Sequence, residues 1–226
     1  MATNRIGHAL FYIVRRLAAC RHDERKGLPF RFVSHKFPWR LCLHKMTVIS
    51  FDSPSYYFTS VTHHRLPVFQ TAKFKQLLCE ALDEARKSSG MLYFAYAIMP
   101  EHFHFVTDGK RSPSDSLRFL NGVTARRIID YLKENGPEVS LQKLKTVEKK
   151  GDYKYSLWEH HSDKFLLTSE SMFMQKVNYI HSNPVVAGLV DRQEDYLYSS
   201  ARYWHGCPLE NEPLAMNIDQ IKWKNR

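Results

Sequence analysis

Two histidines lie two positions apart in the segment MPEHFHFV, residues 99–106. In an extended strand, side chains two apart point to the same face, so His102, His104 and Val106 would share one side of a sheet. Two imidazoles that converge on one point are the beginning of a metal site. Because such a pair also occurs by chance in ordinary strands, two ligands alone leave both a metal-binding and a space-filling interpretation open.

A second group of polar side chains lies in KVNYIHSNPVVAGLV, residues 176–190. Tyr179 and Asn183 are four apart on a predicted helix and therefore share a face, roughly 100° from the apolar stripe of the same helix. Each residue also has a structural interpretation. The tyrosine could pack at the edge of the domain, and Asn183 could cap a short helical turn that begins at Pro184.

The elements that must position these residues alternate between strands and helices. Apolar periodicity and the capping residues Thr71 and Gly90 predict the first helix, and the later elements follow from similar patterns. Strands are predicted over 55–62, 91–99 and 102–108, helices over 69–90, 112–136 and 169–182, and a loop or irregular helix over 137–157. This β-α-β-β-α order fits an α+β sandwich, in which an antiparallel sheet is covered by helices on one face.

The charge of the chain is concentrated near its start. The 226 residues are 43% hydrophobic, enough for one sizeable domain, and the net charge of +10 suggests an anionic partner such as nucleic acid. Residues 1–45 contain ten basic and two acidic side chains, so this leader carries +8 and the rest only +2. The body of the chain is therefore nearly neutral.

The leader has three possible explanations. Its best apolar run, residues 9–14, is too short for a membrane span or a signal-peptide core. It resembles an organelle transit peptide or a DNA-binding arm, or else Met46 is the working start, which we favour because strand-like sequence begins just after it. We therefore expect a leader over 1–45, a domain over 46–206 and a tail over 207–226. The four cysteines form no CxxC pair, which favours a cytoplasmic protein.

The two polar groups occur in an order that resembles a known family. YAIMPEHFHFV (96–106) followed by KVNYIHSNPVVAGLV looks like the single-tyrosine HUH transposases of the small insertion-sequence type, specifically the REP-associated tyrosine transposases. LWEHHSDKFLL (157–167) is similar to their tryptophan-bearing linker, and DYLYSSARYW (195–204) to their usual ending. The resemblance covers approximately residues 55–206 and implies a ferredoxin-like (RRM-like) HUH sandwich from a bacterium.

The resemblance also implies roles for four residues. His102 and His104 match the histidines that bind Mg²⁺ or Mn²⁺, and Asn183 matches the position that completes this metal site. Tyr179 matches the nucleophile that attacks a phosphodiester of single-stranded DNA, forming a 5′-phosphotyrosine and freeing a 3′-hydroxyl. The implied partner is single-stranded or hairpin (REP-like) DNA, and the protein would act as a monomer or homodimer. No membrane partner is implied.

Other polar residues are weaker candidates. His63 and His64 could contact phosphate or lie in a solvated turn, and His160 and His161 would be exposed or DNA-facing. Four arginines suit phosphate contacts, although arginines on helices often face solvent: Arg65, Arg118, Arg126 and Arg127. Two rival functions remain at this stage, namely a domesticated protein that binds hairpin nucleic acid without cleaving it and a metal-dependent hydrolase that activates water.

Overall fold

The computed structural model describes residues 46–136, 138–145, 154–160 and 162–223. The leader over 1–45 and His161 lie outside these residues. Within this part of the chain, no helix has both the length and the apolar character needed to cross a membrane.

The described chain contains six strands and five α-helices. The strands are β1 (Thr47–Ile49), β2 (Ser55–Val61), β3 (Tyr93–Ile98), β4 (His102–Thr107), β5 (Asp163–Leu167) and β6 (Ile221–Trp223). The helices are α1 (Ala72–Ser89), α2 (Pro113–Asn135), α3 (Glu138–Lys143), α4 (Glu170–Val186) and α5 (Ala201–His205).

The long helices begin and end where their capping residues predict. The Thr71 hydroxyl accepts a hydrogen bond from the backbone of the first turn of α1, and Gly90 ends that helix with a φ of 69°. Ser112 and Ser169 cap α2 and α4 in the same way. Helix α4 continues through Pro184 to Val186, so the alternative in which Asn183 caps a separate turn is wrong.

The main sheet has the strand order β3-β4-β2-β5, and each neighbouring pair is antiparallel. With α1 between β2 and β3 and α2 after β4, the chain follows the β-α-β-β-α-β path of a ferredoxin-like sandwich, as expected. Strand β5 is an addition, because the sequence indicated only a linker over 157–167. It is an edge strand of five residues in which only Leu167 is buried, so it lacks the alternation by which a half-buried strand is recognised.

Helices cover both faces of this sheet. As expected, α1 and α2 pack together on one face, against the apolar side of β4 that carries Phe103 and Phe105. Helix α4 instead packs on the other face, where Phe173, Val177 and Ile180 contact Val106 and the rest of a second apolar cluster. The sheet therefore separates two layers, and α4 is the helix that shares a face with His102 and His104.

The C-terminal segment ties the sheet together. The Ser200 hydroxyl accepts a hydrogen bond from the backbone nitrogen of Tyr96 at 2.9 Å, and the Tyr196 hydroxyl donates to the Ile98 carbonyl at 2.6 Å. The motif DYLYSSARYW thus fastens the outer edge of β3. Further along, β6 pairs in parallel with β1, so the two ends of the described chain meet in a small second sheet.

Candidate functional site

The two histidines of β4 converge. Because side chains alternate along the strand, His102 and His104 point to the face covered by α4, and their Nε2 atoms lie 3.1 Å apart. His104 is 3% exposed, whereas His102 is half-buried at the rim. Two imidazole nitrogens that face each other at this distance are placed to bind one cation.

The other ring nitrogens are held by neighbouring polar groups. Nδ1 of His102 lies 3.1 Å from a Glu101 carboxylate oxygen. Nδ1 of His104 lies 2.9 Å from the Tyr57 hydroxyl and 3.0 Å from that of Thr59. Such partners fix the ring orientation and tautomer of histidines that bind metals. The sequence analysis missed Glu101, Tyr57 and Thr59. The contacts of Tyr57 and Thr59 follow only from the strand register, which pairs Thr59 directly with His104.

Burial keeps both imidazoles neutral. It lowers the pKa of His102, and together with the neighbouring His102 ring it lowers the pKa of His104 to about 3. A neutral imidazole has a free lone pair, which is the form that binds a cation. The pair therefore needs no deprotonation at neutral pH before it can act as a ligand.

Tyr179 and Asn183 join the histidines within one chain. The Tyr179 ring centroid lies 5.4 Å from that of His104, and the tyrosine is 49% exposed. Asn183 lies close enough to His104 to raise the pKa of that imidazole against the larger effects of burial and His102, and its amide nitrogen donates to the Tyr179 carbonyl at 2.7 Å. All four residues singled out by the resemblance are thus neighbours in the structure.

The apolar stripe of α4 explains why these two residues face the histidines. Phe173, Val177 and Ile180 are buried against the sheet, and Nε2 of His181 lies 2.8 Å from the Ser200 hydroxyl on the inner side of the helix. Burial lowers the pKa of His181 to about 3. Because Tyr179 stands off this stripe, it emerges at the side of the helix next to β4 instead of entering the core.

Lys176 is a fourth residue that the sequence analysis missed. Its ammonium nitrogen lies 4.6 Å from the ring centroid of Tyr57, 4.5 Å from that of Phe165 and 5.5 Å from that of Tyr179. It precedes Tyr179 by three residues, a spacing that places both on one side of a helix. A positive charge therefore stands beside the exposed tyrosine.

The turn after β2 holds a further group of possible ligands. Among the described residues, one set of three or more His, Cys, Asp or Glu side chains could hold a metal ion, and it consists of His63, His64 and Glu159, with ligand atoms within 4.8 Å of one another. Arg65, in the same turn, lies close enough to His102 to lower the pKa of that histidine slightly, after the larger effect of burial. His160, as expected, is exposed.

The other candidate arginines do not lie near His102 and His104. Arg118 forms an ion pair with Asp115 at 2.9 Å on α2. Arg127 and Arg126 lie 2.6 Å and 3.8 Å from Glu84 on α1. Because α1 and α2 cover the opposite face of the sheet, these three side chains belong to a different surface from that of Tyr179.

Comparison with known proteins gives matches among solved structures. A REP-associated tyrosine transposase bound to a REP hairpin has a TM-score of 0.50 and 17% identity, over 73% of this chain and 87% of the other. A candidate transposase from Deinococcus radiodurans R1 has a TM-score of 0.41 and 18% identity, over 57% and 90%. No family model and no curated protein matches the sequence. The chain therefore has the fold of the REP-associated transposase structure.

Proposed function

We propose that this protein is a metal-dependent strand transferase of single-stranded DNA, with Tyr179 as its nucleophile. One observation carries the proposal: two neutral imidazoles with facing Nε2 atoms lie beside an exposed tyrosine and an amide in a single chain. The solved structure of similar fold is a tyrosine transposase bound to a REP hairpin, which supports hairpin-forming DNA as the substrate class.

Two tyrosines lie next to His104, and their surroundings distinguish them. Burial raises the pKa of Tyr57 to about 12, and its hydroxyl is engaged with His104 and Thr59. Such a group stays protonated and holds the imidazole in place. Tyr179 is half exposed and can reach a phosphodiester, as a nucleophile must.

The residues present fit a divalent cation. The Nε2 atoms of His102 and His104 would bind it, and the Asn183 amide would supply a third, neutral ligand. Oxygen ligands suit Mg²⁺, whereas imidazole nitrogens suit softer ions, so this donor set favours Mn²⁺ over Mg²⁺. When bound, the cation neutralises charge on the scissile phosphate and stabilises the leaving 3′-oxygen.

The transfer step forms one bond and breaks one. The Tyr179 oxygen bonds to phosphorus and loses its proton, while the bond from phosphorus to the 3′-oxygen breaks and that oxygen gains a proton. A phenol is a weak nucleophile until it loses its proton, and the Lys176 ammonium, 5.5 Å from the Tyr179 ring centroid, stands close enough to stabilise the developing negative charge. Because the phosphotyrosine keeps the bond energy, another 3′-hydroxyl can reverse the step without ATP.

A covalent-adduct assay tests the proposal. The full chain is incubated with labelled single-stranded DNA that contains a hairpin and with saturating Mn²⁺, and the product is run on a denaturing gel. We expect an adduct with the wild-type chain and with Tyr57→Phe, and none with Tyr179→Phe. Binding without any adduct would favour the domesticated binding protein, and cleavage that survives Tyr179→Phe would favour the hydrolase.

A further inference from the structure

His63, His64 and Glu159 come from two segments that the backbone holds side by side. The backbone nitrogen of His63 donates to the Leu157 carbonyl at 2.8 Å, and that of Glu159 donates to the Val61 carbonyl at 2.8 Å. This pairing continues the edge of the main sheet beyond β2 and β5. It places two imidazoles and a carboxylate within 4.8 Å of one another.

The backbone at His64 adopts a conformation that ordinary side chains avoid. His64 and Arg65 both have a φ of 52°, in the left-handed region that favours glycine. This turn brings the rings of His63 and His64 to 3.9 Å between centroids and lets the His64 backbone nitrogen donate to Glu159 at 2.6 Å. Strained backbone held by its surroundings is often found at binding sites.

We propose that His63, His64 and Glu159 form a second divalent-metal site, which takes Zn²⁺ or Co²⁺ in preference to Mg²⁺. Two imidazoles and one carboxylate are a donor set that zinc accepts with its fourth position open, whereas Mg²⁺ prefers oxygen ligands throughout. The site shares no ligand with the His102 and His104 pair. It does not depend on the proposed strand transfer.

The position of this site gives it a structural role. Val61 pairs with His102 across the sheet, and the Thr62 backbone nitrogen donates to the Glu101 carbonyl at 2.9 Å. A cation bound here joins the turn after β2 to the segment that leads into β5. It thereby stiffens the edge of the sheet beside Glu101 and His102, and it fixes the turn that carries Arg65.

A purely structural interpretation of the cluster makes a different prediction. The Glu159 carboxylate already accepts a hydrogen bond from the His64 backbone, so it could serve only to stabilise the left-handed turn. In that case the cluster binds no metal. The two interpretations differ in metal binding, which can be measured without DNA and without any strand transfer.

The experiment is a titration of the full chain with Co²⁺, followed by visible absorption, with Zn²⁺ as the competitor. His64→Gly removes one imidazole and keeps the left-handed backbone, because glycine adopts positive φ readily. Arg65→Gly is the matched control, since it makes the same backbone change at the next residue and removes no ligand. We expect His64→Gly to bind one Co²⁺ fewer, or to weaken that site by about tenfold or more, with Arg65→Gly unchanged.

A second measurement isolates the site. In a chain that carries His102→Ala and His104→Ala, we expect one Co²⁺ to remain and to be lost on addition of Glu159→Gln, while His160→Ala has no effect. Equal Co²⁺ binding by His64→Gly and Arg65→Gly would overturn the proposal. Absence of strand transfer by the wild-type chain, with Co²⁺ binding as described, would refute the proposed function and leave this site intact.

Discussion

The two faces of the main sheet differ in what they hold, although the same strands build both. In β4, Phe103 and Phe105 point to the face covered by α1 and α2, where an extended aromatic and aliphatic cluster is closed to solvent. His102 and His104 point to the other face, which α4 covers only in part, so that Tyr179 is half exposed. We call the first of these the closed face and the second the open face. The alternation of a single strand thus places a buried aromatic core on one face and the residues of the candidate site on the other.

The difference has an energetic basis. Full burial of an aromatic side chain contributes about 1.5–3 kcal/mol, and the closed face contains several such residues. A buried imidazole is costly unless its nitrogens have partners, and on the open face Tyr57 and Thr59 provide them for Nδ1 of His104. Burial on the closed face therefore supplies most of the folding free energy, and the polar open face contributes less.

The largest expected effect is a loss of stability on the closed face. We expect Phe105→Ala to lower the free energy of unfolding by about 3–5 kcal/mol, because it leaves a cavity among buried rings. Tyr179→Phe removes only a half-exposed hydroxyl and should change the free energy of unfolding by less than about 0.5 kcal/mol. Urea denaturation measures both, and equal losses would contradict the separation of the two faces.

A pH dependence should originate on the open face. The pKa values of His104 and His181 are lowered to about 3, mainly by burial, and these are the buried histidines of the described chain. Between pH 6.5 and 3 the unfolded chain binds protons that the folded chain does not, so stability falls as pH falls. Each histidine contributes up to about 1.4 kcal/mol per pH unit.

Urea denaturation with EDTA, at steps from pH 7 to pH 5, measures this slope. His181→Gln should reduce it by up to about 1.4 kcal/mol per pH unit, because the contribution of one deeply buried histidine is then gone. A slope that His181→Gln leaves unchanged would mean that other groups cause the pH dependence.

The closed face was the easier one to predict from sequence. Thr71 and Gly90 delimit α1 by local hydrogen bonding and backbone conformation, and alternation assigns the phenylalanines and histidines of β4 to opposite sides. These are properties of neighbouring residues. The β-α-β-β-α order of an α+β sandwich follows from them once the hairpin of β3 and β4 is recognised.

The open face depends on pairings between distant parts of the chain, which local patterns do not contain. Strand β5 forms because β2 offers a free edge, and the exposed sequence DKFLL gives little sign of it. Tyr57 and Lys176 belong to the site only through sheet register and the position of α4. That Tyr179 and Asn183 would meet the histidines was predicted from the family resemblance alone.

A smaller effect should follow from loss of the Tyr57 hydroxyl. Tyr57→Phe removes a partner of Nδ1 of His104 and should weaken Mn²⁺ binding by about tenfold, as expected for a group that orients a metal ligand. Tyr56→Phe is the matched control, because Tyr56 precedes it in β2 and points to the closed face. Calorimetric titration with Mn²⁺ compares the two, and equal affinities would exclude a role for Tyr57 in the proposed metal site.

Lys176 should affect the rate of strand transfer rather than stability. Lys176→Gln removes the charge beside Tyr179 and should slow adduct formation by roughly fivefold, which corresponds to about 1 kcal/mol near a surface. Lys176→Arg should retain most of the rate. Lys75→Gln is the control, since Lys75 lies over the rings of Tyr196 and Tyr198, away from the histidines.

The smallest effects concern the arginines, and they test whether DNA touches one face or both. Arg65 lies beside His102, so Arg65→Gln should lower the slope of log affinity against log salt for hairpin DNA by about one. Arg127 pairs with Glu84 on the face covered by α1 and α2. Arg127→Gln should therefore lower this slope less, and it should change the free energy of unfolding by less than about 1 kcal/mol. Fluorescence anisotropy over a range of salt concentrations gives both slopes. An equal fall for Arg127→Gln would mean that the DNA extends around the edge of the sheet onto α2, and Arg118 and Arg126 would then join its binding surface.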